Sequence, residues 1–134
     1  MTSRRAACSC GLLSLVCEGE PVRISMCHCL ECQRRTGGVF GNQAWFERQQ
    51  ISSISGHSTR FKRLSDAGNS VTFQFCPVCG STVYWEAEAL PGLIAVAVGS
   101  FADPAFPAPK HSVWERRRHH WVEALCDMPI QHSN

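Results

Sequence analysis

No apolar run in this chain approaches the ~20 residues that a membrane-spanning helix needs, which excludes a span of that kind. The basic start MTSRRAACSCGLL has only a short apolar part, broken by cysteines, and lacks the form of a signal peptide. The expectation is a cytoplasmic protein. Internal repeats, a separable linker and a long basic tail are also missing, so 1–134 reads as one domain. Charge is scarce, at 18% of residues, and nearly balanced, with 13 Lys and Arg against 11 Asp and Glu. Disorder is excluded by that low charge together with 44% hydrophobic residues. No long helical period stands out either.

Cysteine is what the chain has in excess, with 9 in 134 residues. A secreted chain of this kind would suggest disulfides. Here the count is odd, no export signal is visible, and a disulfide within C-x-C would be badly strained. The spacings C-x-C, C-x-C-x-x-C and C-P-x-C-G are those of metal ligands. Metal-bound cysteines are thiolates. Seven thiolates and two divalent ions would turn the formal charge from +2 to −1, so a sequence pI of about 8.1 gives little reason to expect nucleic acid.

Short alternating runs set the expected fold class, mainly β with one or two short helices. Ser14–Glu18 and Val22–Met26 flank Gly19-Glu20-Pro21 and suggest a hairpin. Leu30–Thr36 reads as a short helix stopped by Gly37-Gly38, and Val39–Phe46 as a strand. Arg60–Leu64 and Ser70–Phe75 read as a second hairpin. Thr82–Glu86 and Leu93–Val98 form another expected pair, the latter apolar enough for a central, fully buried strand. Two readings stay open beyond the Pro-rich stretch 102–109. Ser112-x-x-Glu115 fits a capping box for a helix through Leu125. The same residues fit an extended segment with Trp114 and Trp121 packed on the sheet.

Two cysteine groups carry the chemistry. Cys76-Pro-Val-Cys79-Gly80 has the form of a zinc knuckle, in which backbone N–H groups of a tight turn donate to two thiolates. Cys8-Ser9-Cys10-Gly11 is the natural source of two further sulfurs, which share a face if extended and converge better with a bend at Gly11. Four thiolates suit a structural zinc; rubredoxin-like iron is the competing metal. Such an ion would close a long loop and contribute folding energy.

Cys27-His28-Cys29-Leu30-Glu31-Cys32 places three cysteines within six residues. Cys27 and Cys29 share a face at a strand end, and Cys32 lies a helical turn beyond Cys29. Three protein ligands leave the fourth position of a catalytic zinc open to water or substrate. A closed site would draw on His28, Cys17, Cys126, His57 or His111, although His28 points away on a strand. Arg34 and Arg35 could pair with substrate carboxylates, balance an anionic cluster or simply be solvated. His57, His111 and Glu31 are candidates for proton transfer.

These motifs, with Gln33-Arg34-Arg35-Thr36-Gly37 and Phe75-Cys76-Pro77-Val78-Cys79-Gly80-Ser81 around them, resemble the glutathione-dependent formaldehyde-activating enzyme family, also called the centromere protein V type. The resemblance spans roughly residues 6–125. It implies an Mss4-like, mainly β fold and two Zn²⁺ ions. Cys8, Cys10, Cys76 and Cys79 would hold the structural one, and Cys27, Cys29 and Cys32 the second. It further implies a carbon–sulfur lyase that joins glutathione and formaldehyde reversibly into S-hydroxymethylglutathione, with a small thiol as partner. The motifs identify metal sites, not glutathione recognition. The contrasting function is a zinc-stapled module that binds protein or nucleic acid, for which Arg116-Arg117-Arg118 is the motive. The lack of a basic tail sets that second.

Overall fold

The alternating runs become strands in a computed structural model, which describes residues 2–122 and 129–134. In chain order they are β1 (Ser3–Ala7), β2 (Ser14–Glu18), β3 (Arg23–Cys27), helix α1 (Leu30–Thr36), β4 (Gly41–Glu47), β5 (Ile51–Ser55) and β6 (Thr59–Leu64). Then follow β7 (Ser70–Phe75), β8 (Thr82–Ala87), β9 (Leu93–Ala97), β10 (His111–Val113) and β11 (Gln131–His132). The fold class is mainly β, as expected. The chain divides into two compact units.

The first unit holds Met1–Val22 and Ala44–Phe106. One antiparallel sheet in it has the order β1-β2-β5. Leu13, Leu15 and Cys17 alternate into its core and are fully buried, which is the period-two signature of a strand with one apolar face. The other strands of this unit include the run β9-β8-β7-β6 of a larger sheet, each of these pairs antiparallel. Phe61, Phe73, Trp85 and Ala95 stand opposite one another across it. Phe73 and Trp85 lie 5.4 Å apart between ring centroids and join Trp45, Val71 and Ala95 in one core cluster. Such aromatic cross-strand pairs are the unit of sheet stabilisation. Ile94, Ala95 and Val96 are buried on consecutive positions, so β9 is covered on both faces as its unbroken apolar run suggests.

The second unit holds Arg23–Gln43 and Pro107–Asn134. Its strands β11, β10 and β3 are neighbours, and β10 is parallel to both others. Helix α1 follows β3 after a two-residue link. Cys29 caps its N-terminus, and Gly37 ends it in the left-handed region at φ 72°, with its N–H on the Gln33 carbonyl at 2.8 Å.

Two local hairpins match expectation: β6 with β7, and β8 with β9. The expected hairpin of Ser14–Glu18 with Val22–Met26 does not form. β2 pairs with β1 and β5, and β3 pairs with β10. Gly19 is instead held at φ 80°, its N–H bonded to the Thr2 carbonyl at 2.6 Å, and that turn sends the chain away from β2. Val39–Phe46 begins two residues late as β4. The capping box at Ser112 is also absent, because Ser112 is buried within β10. Residues 115–117 form only a single 3-10 turn, which rules out the helix through the described part of 112–125. The extended reading holds for His111–Val113, but Trp121 is exposed at 62% rather than packed on a sheet. Residues 123–128, including Cys126, lie outside the described part. Among the described residues no helix is long and apolar enough to cross a membrane.

Candidate metal centres

Each cysteine group lies within one unit. In the first unit, Cys8 and Cys10 occupy the turn that follows β1, not an extended strand, with Gly11 at φ 82° supplying the bend. Cys76 and Cys79 occupy the turn between β7 and β8, closed by the Gly80 N–H on the Cys76 carbonyl at 2.9 Å. The four sulfurs lie within 4.8 Å of one another. Cys10 Sγ stands 3.6 Å from Cys8 Sγ and 3.6 Å from Cys76 Sγ. A disulfide needs about 2.05 Å. A tetrahedron with Zn–S bonds of about 2.3 Å has edges of about 3.8 Å. The observed spacing excludes a disulfide and fits four sulfurs around an ion.

Main-chain donors face these sulfurs. Leu13 N–H donates to Cys8 Sγ at 3.2 Å, and Val78 and Cys79 N–H donate to Cys76 Sγ at 3.4 and 3.5 Å. Ser81 Oγ lies 3.5 Å from Cys79 Sγ and 3.1 Å from Ser9 Oγ, joining the two cysteine turns. The Ser81 hydroxyl, then the Ser81 and Cys10 N–H groups, hold Cys79 down at about 5. The Leu12 N–H draws Cys10 down, but Cys76, burial, Cys8 and Cys79 outweigh it and leave Cys10 at about 11. Neighbouring sulfurs thus resist joint ionisation, and a divalent cation among them removes that resistance. Ser81 stands in the sequence motif, but its contact with Cys79 and Ser9 emerges only once the knuckle is folded.

In the second unit, Cys27 ends β3, Cys29 caps α1, and Cys32 sits inside its first turn. Their sulfurs also lie within 4.8 Å of one another. The Cys32 N–H donates to Cys29 Sγ at 3.3 Å, so the cap acceptor is itself a sulfur of the cluster. Contact with Cys29 and Cys32, with burial added, pushes the Cys27 thiol well above its ordinary range. Cys27 draws Cys32 down, while Cys29 and burial outweigh it and raise Cys32 overall. Without a cation these crowded sulfurs keep their protons, and a divalent ion among them would remove that resistance to ionisation. Both groups can hold a metal ion, and their all-sulfur donors suit zinc.

Among the described residues no fourth His, Cys, Asp or Glu atom joins the three sulfurs. His28 is fully buried, and its Nε2 lies 3.0 Å from Ser112 Oγ. Cys17 is buried in β2 within the first unit, where burial pushes it up to about 12. His57 is exposed in the β5–β6 turn. His111 stands opposite Ser25 on β3, and burial followed by the Arg23 charge lowers its pKa. Glu31 is bonded to Arg34 at 2.6 Å, with the Arg34 side chain 73% exposed. Arg35 is placed differently. Its positive charge draws the Cys32 pKa down, and its Nη2 would lie 2.8 Å from a Cβ added at Gly41. A Cβ there would also meet Cys32 Cβ at 3.4 Å and Cys32 Sγ at 3.7 Å, so β4 runs close beside the cluster at Gly41. The arginine pair therefore splits into a surface ion pair and a charge beside the sulfurs.

A mainly β chain with one four-sulfur and one three-sulfur group, each able to hold a metal ion, has the features of a small cysteine-rich metal-binding protein. The family model for the glutathione-dependent formaldehyde-activating enzyme matches residues 3–117, and the chain belongs to that family. Among solved structures it is similar to a Rhodobacter sphaeroides protein at 19% identity and a TM-score of 0.58, covering 75% of this chain and 91% of that one. That likeness concerns the fold. No curated protein matches the sequence.

Proposed function

We propose that this chain acts as one zinc domain with two ions, in which the four-cysteine group is structural and the three-cysteine group binds a small thiol for carbon–sulfur bond chemistry. The observation that carries the reading is the difference in saturation between the groups: four convergent sulfurs in one, three and no fourth donor among the described residues in the other. Zinc held by three thiolates supplies an open coordination position and lowers the pKa of a thiol that binds there.

The family's namesake reaction supports glutathione with formaldehyde as the substrate class. The thiol sulfur bonds to the carbonyl carbon, the carbonyl π pair moves to oxygen, and the oxygen gains a proton as the thiol loses one. The lyase direction is the reverse. Cys27, Cys29 and Cys32 hold the centre, with the Cys32 N–H directed at the Cys29 sulfur. Arg35 offsets negative charge beside them. For a substrate carboxylate, Arg34 would first leave Glu31, and an exposed pair of that kind is worth under about 1 kcal/mol. A thiol-dependent centre belongs in a reducing compartment, in keeping with a cytoplasmic location.

Titrating cobalt-loaded protein with glutathione tests this reading. The expected result is a saturable change in the thiolate-to-cobalt absorption. No change with glutathione or any other small thiol overturns it. The staple-only alternative needs Arg116-Arg117-Arg118 as a binding patch, yet Arg116 lies 5.9 Å over the Trp114 ring and Arg118 Nη1 donates to the Val122 carbonyl at 3.2 Å. Retention on DNA at low salt, lost steeply as salt rises, would favour that alternative.

A further inference from the structure

The residue next to the last ligand of the three-cysteine group is unusually well bonded. Gln33 Nε2 donates to the His28 carbonyl at 2.9 Å and to the Arg117 carbonyl at 3.1 Å. Its Oε1 faces His119 Nε2 at 2.9 Å. A primary carboxamide has two N–H donors and one acceptor oxygen, so all its functions are used. The two carbonyl partners also fix which end is nitrogen. A flipped amide would set oxygen against oxygen twice.

The bond to His28 bears on the cysteines directly. Cys29 and Cys32 ride on α1, whereas Cys27 ends β3. Only His28 links strand to helix cap, so the path of that residue sets where the Cys27 sulfur lies relative to the other two. The Gln33 main chain already holds the cap, its N–H on the Cys29 carbonyl at 3.1 Å. Its side chain reaches one residue further back and ties helix to strand end. Segment 111–119 completes the frame. The Val113 carbonyl accepts from the His28 N–H at 3.1 Å, and the His28 ring meets Ser112.

We propose that Gln33 is a positioning residue: its carboxamide ties the Cys27–Cys29 turn to Arg117–His119 and so sets the separation of the three sulfurs without touching the ion. The proposal rests on the reading that these cysteines hold a metal, and it reaches further by assigning their geometry to one amide and to a segment 84 to 86 residues away in sequence. Partners of metal ligands commonly carry tenfold to hundredfold effects on affinity, and Gln33 acts at the same remove.

The test uses the full chain, loaded with cadmium-113 for NMR and with zinc for chelator competition. The four-cysteine centre serves as the internal reference. In Gln33→Leu the three-cysteine resonance should shift or broaden and zinc affinity there should fall roughly tenfold to a hundredfold, with the four-cysteine resonance unmoved. Gln33→Glu should do the same, because a carboxylate offers no donor to two carbonyls. His119→Ala, which keeps both Gln33 donor bonds, should show a smaller shift in the same direction. It also provides a milder variant if Gln33→Leu fails to fold. Parental affinity and an unmoved resonance in Gln33→Leu, or in His119→Ala where only that variant folds, overturn the proposal. A parent chain that binds a single ion removes the metal reading itself, and the proposal with it.

Discussion

At the scale of single residues, one of the described cysteines differs in kind from the others. Cys17 packs on the buried face of β2 beside Leu13 and Leu15 and belongs to neither sulfur group. Burial pushes its thiol up to about 12 from an ordinary 9.0. The folded chain therefore keeps the proton where an unfolded chain has lost it. Stability from this group is intact below about pH 9 and declines as pH rises toward 12. Denaturation midpoints at about pH 8 and about pH 10.5 should fall further in the parent than in Cys17→Val. Iodoacetamide at about pH 8 should label Cys17 only after unfolding. Equal alkaline losses in both proteins would count against a neutral buried thiol. Spacing offered Cys17 only as a spare fourth ligand. Its alternation with Leu13 and Leu15 is the feature that decides for the core.

At the scale of elements, the turns decide more than the strands do. Gly56 follows β5 at φ 90°, and a Cβ there would lie 1.8 Å from the Leu12 carbonyl oxygen, in the loop that carries Cys8 and Cys10. Neither main-chain partner can yield cheaply. Gly56→Ala should cost at least about 2 kcal/mol from left-handed strain and overpacking together. Calorimetry should show that loss, and chelators should strip the four-cysteine centre faster. Gly37→Ala meets nothing within 4 Å, so its cost should be confined to left-handed strain, about 1 kcal/mol. Elements joined by short local turns were legible from the sequence: β6 with β7, β8 with β9, and α1 with its glycine stop. Pairings without a local turn were not. Nothing near Arg23–Cys27 announces a parallel partner at His111–Val113, and the mistaken hairpin around Gly19 arose from the same shortage of local signal.

For the whole molecule, the two sulfur groups should fail differently. Cys8 and Cys10 come to Cys76 and Cys79 across a separation of 66 residues, measured from Cys10 to Cys76, so an ion there closes most of the first unit. Cys76→Ser should unfold the chain or abolish soluble expression. The Cys27–Cys32 loop is short, and Cys32→Ser should lose one ion while keeping the circular dichroism of the fold. Identical collapse of both variants would erase the distinction between structural and reactive centres. Both cysteine groups could be read in advance because ligand spacing is local chemistry. The braces could not, since Ser112, Arg117 and His119 lie 84 to 86 residues from their partners. The most direct test is native mass spectrometry of the anaerobically purified chain. Two zinc ions per chain, falling to one in Cys32→Ser, are predicted; one ion or none in the parent, or masses lowered by disulfide formation, would contradict the account.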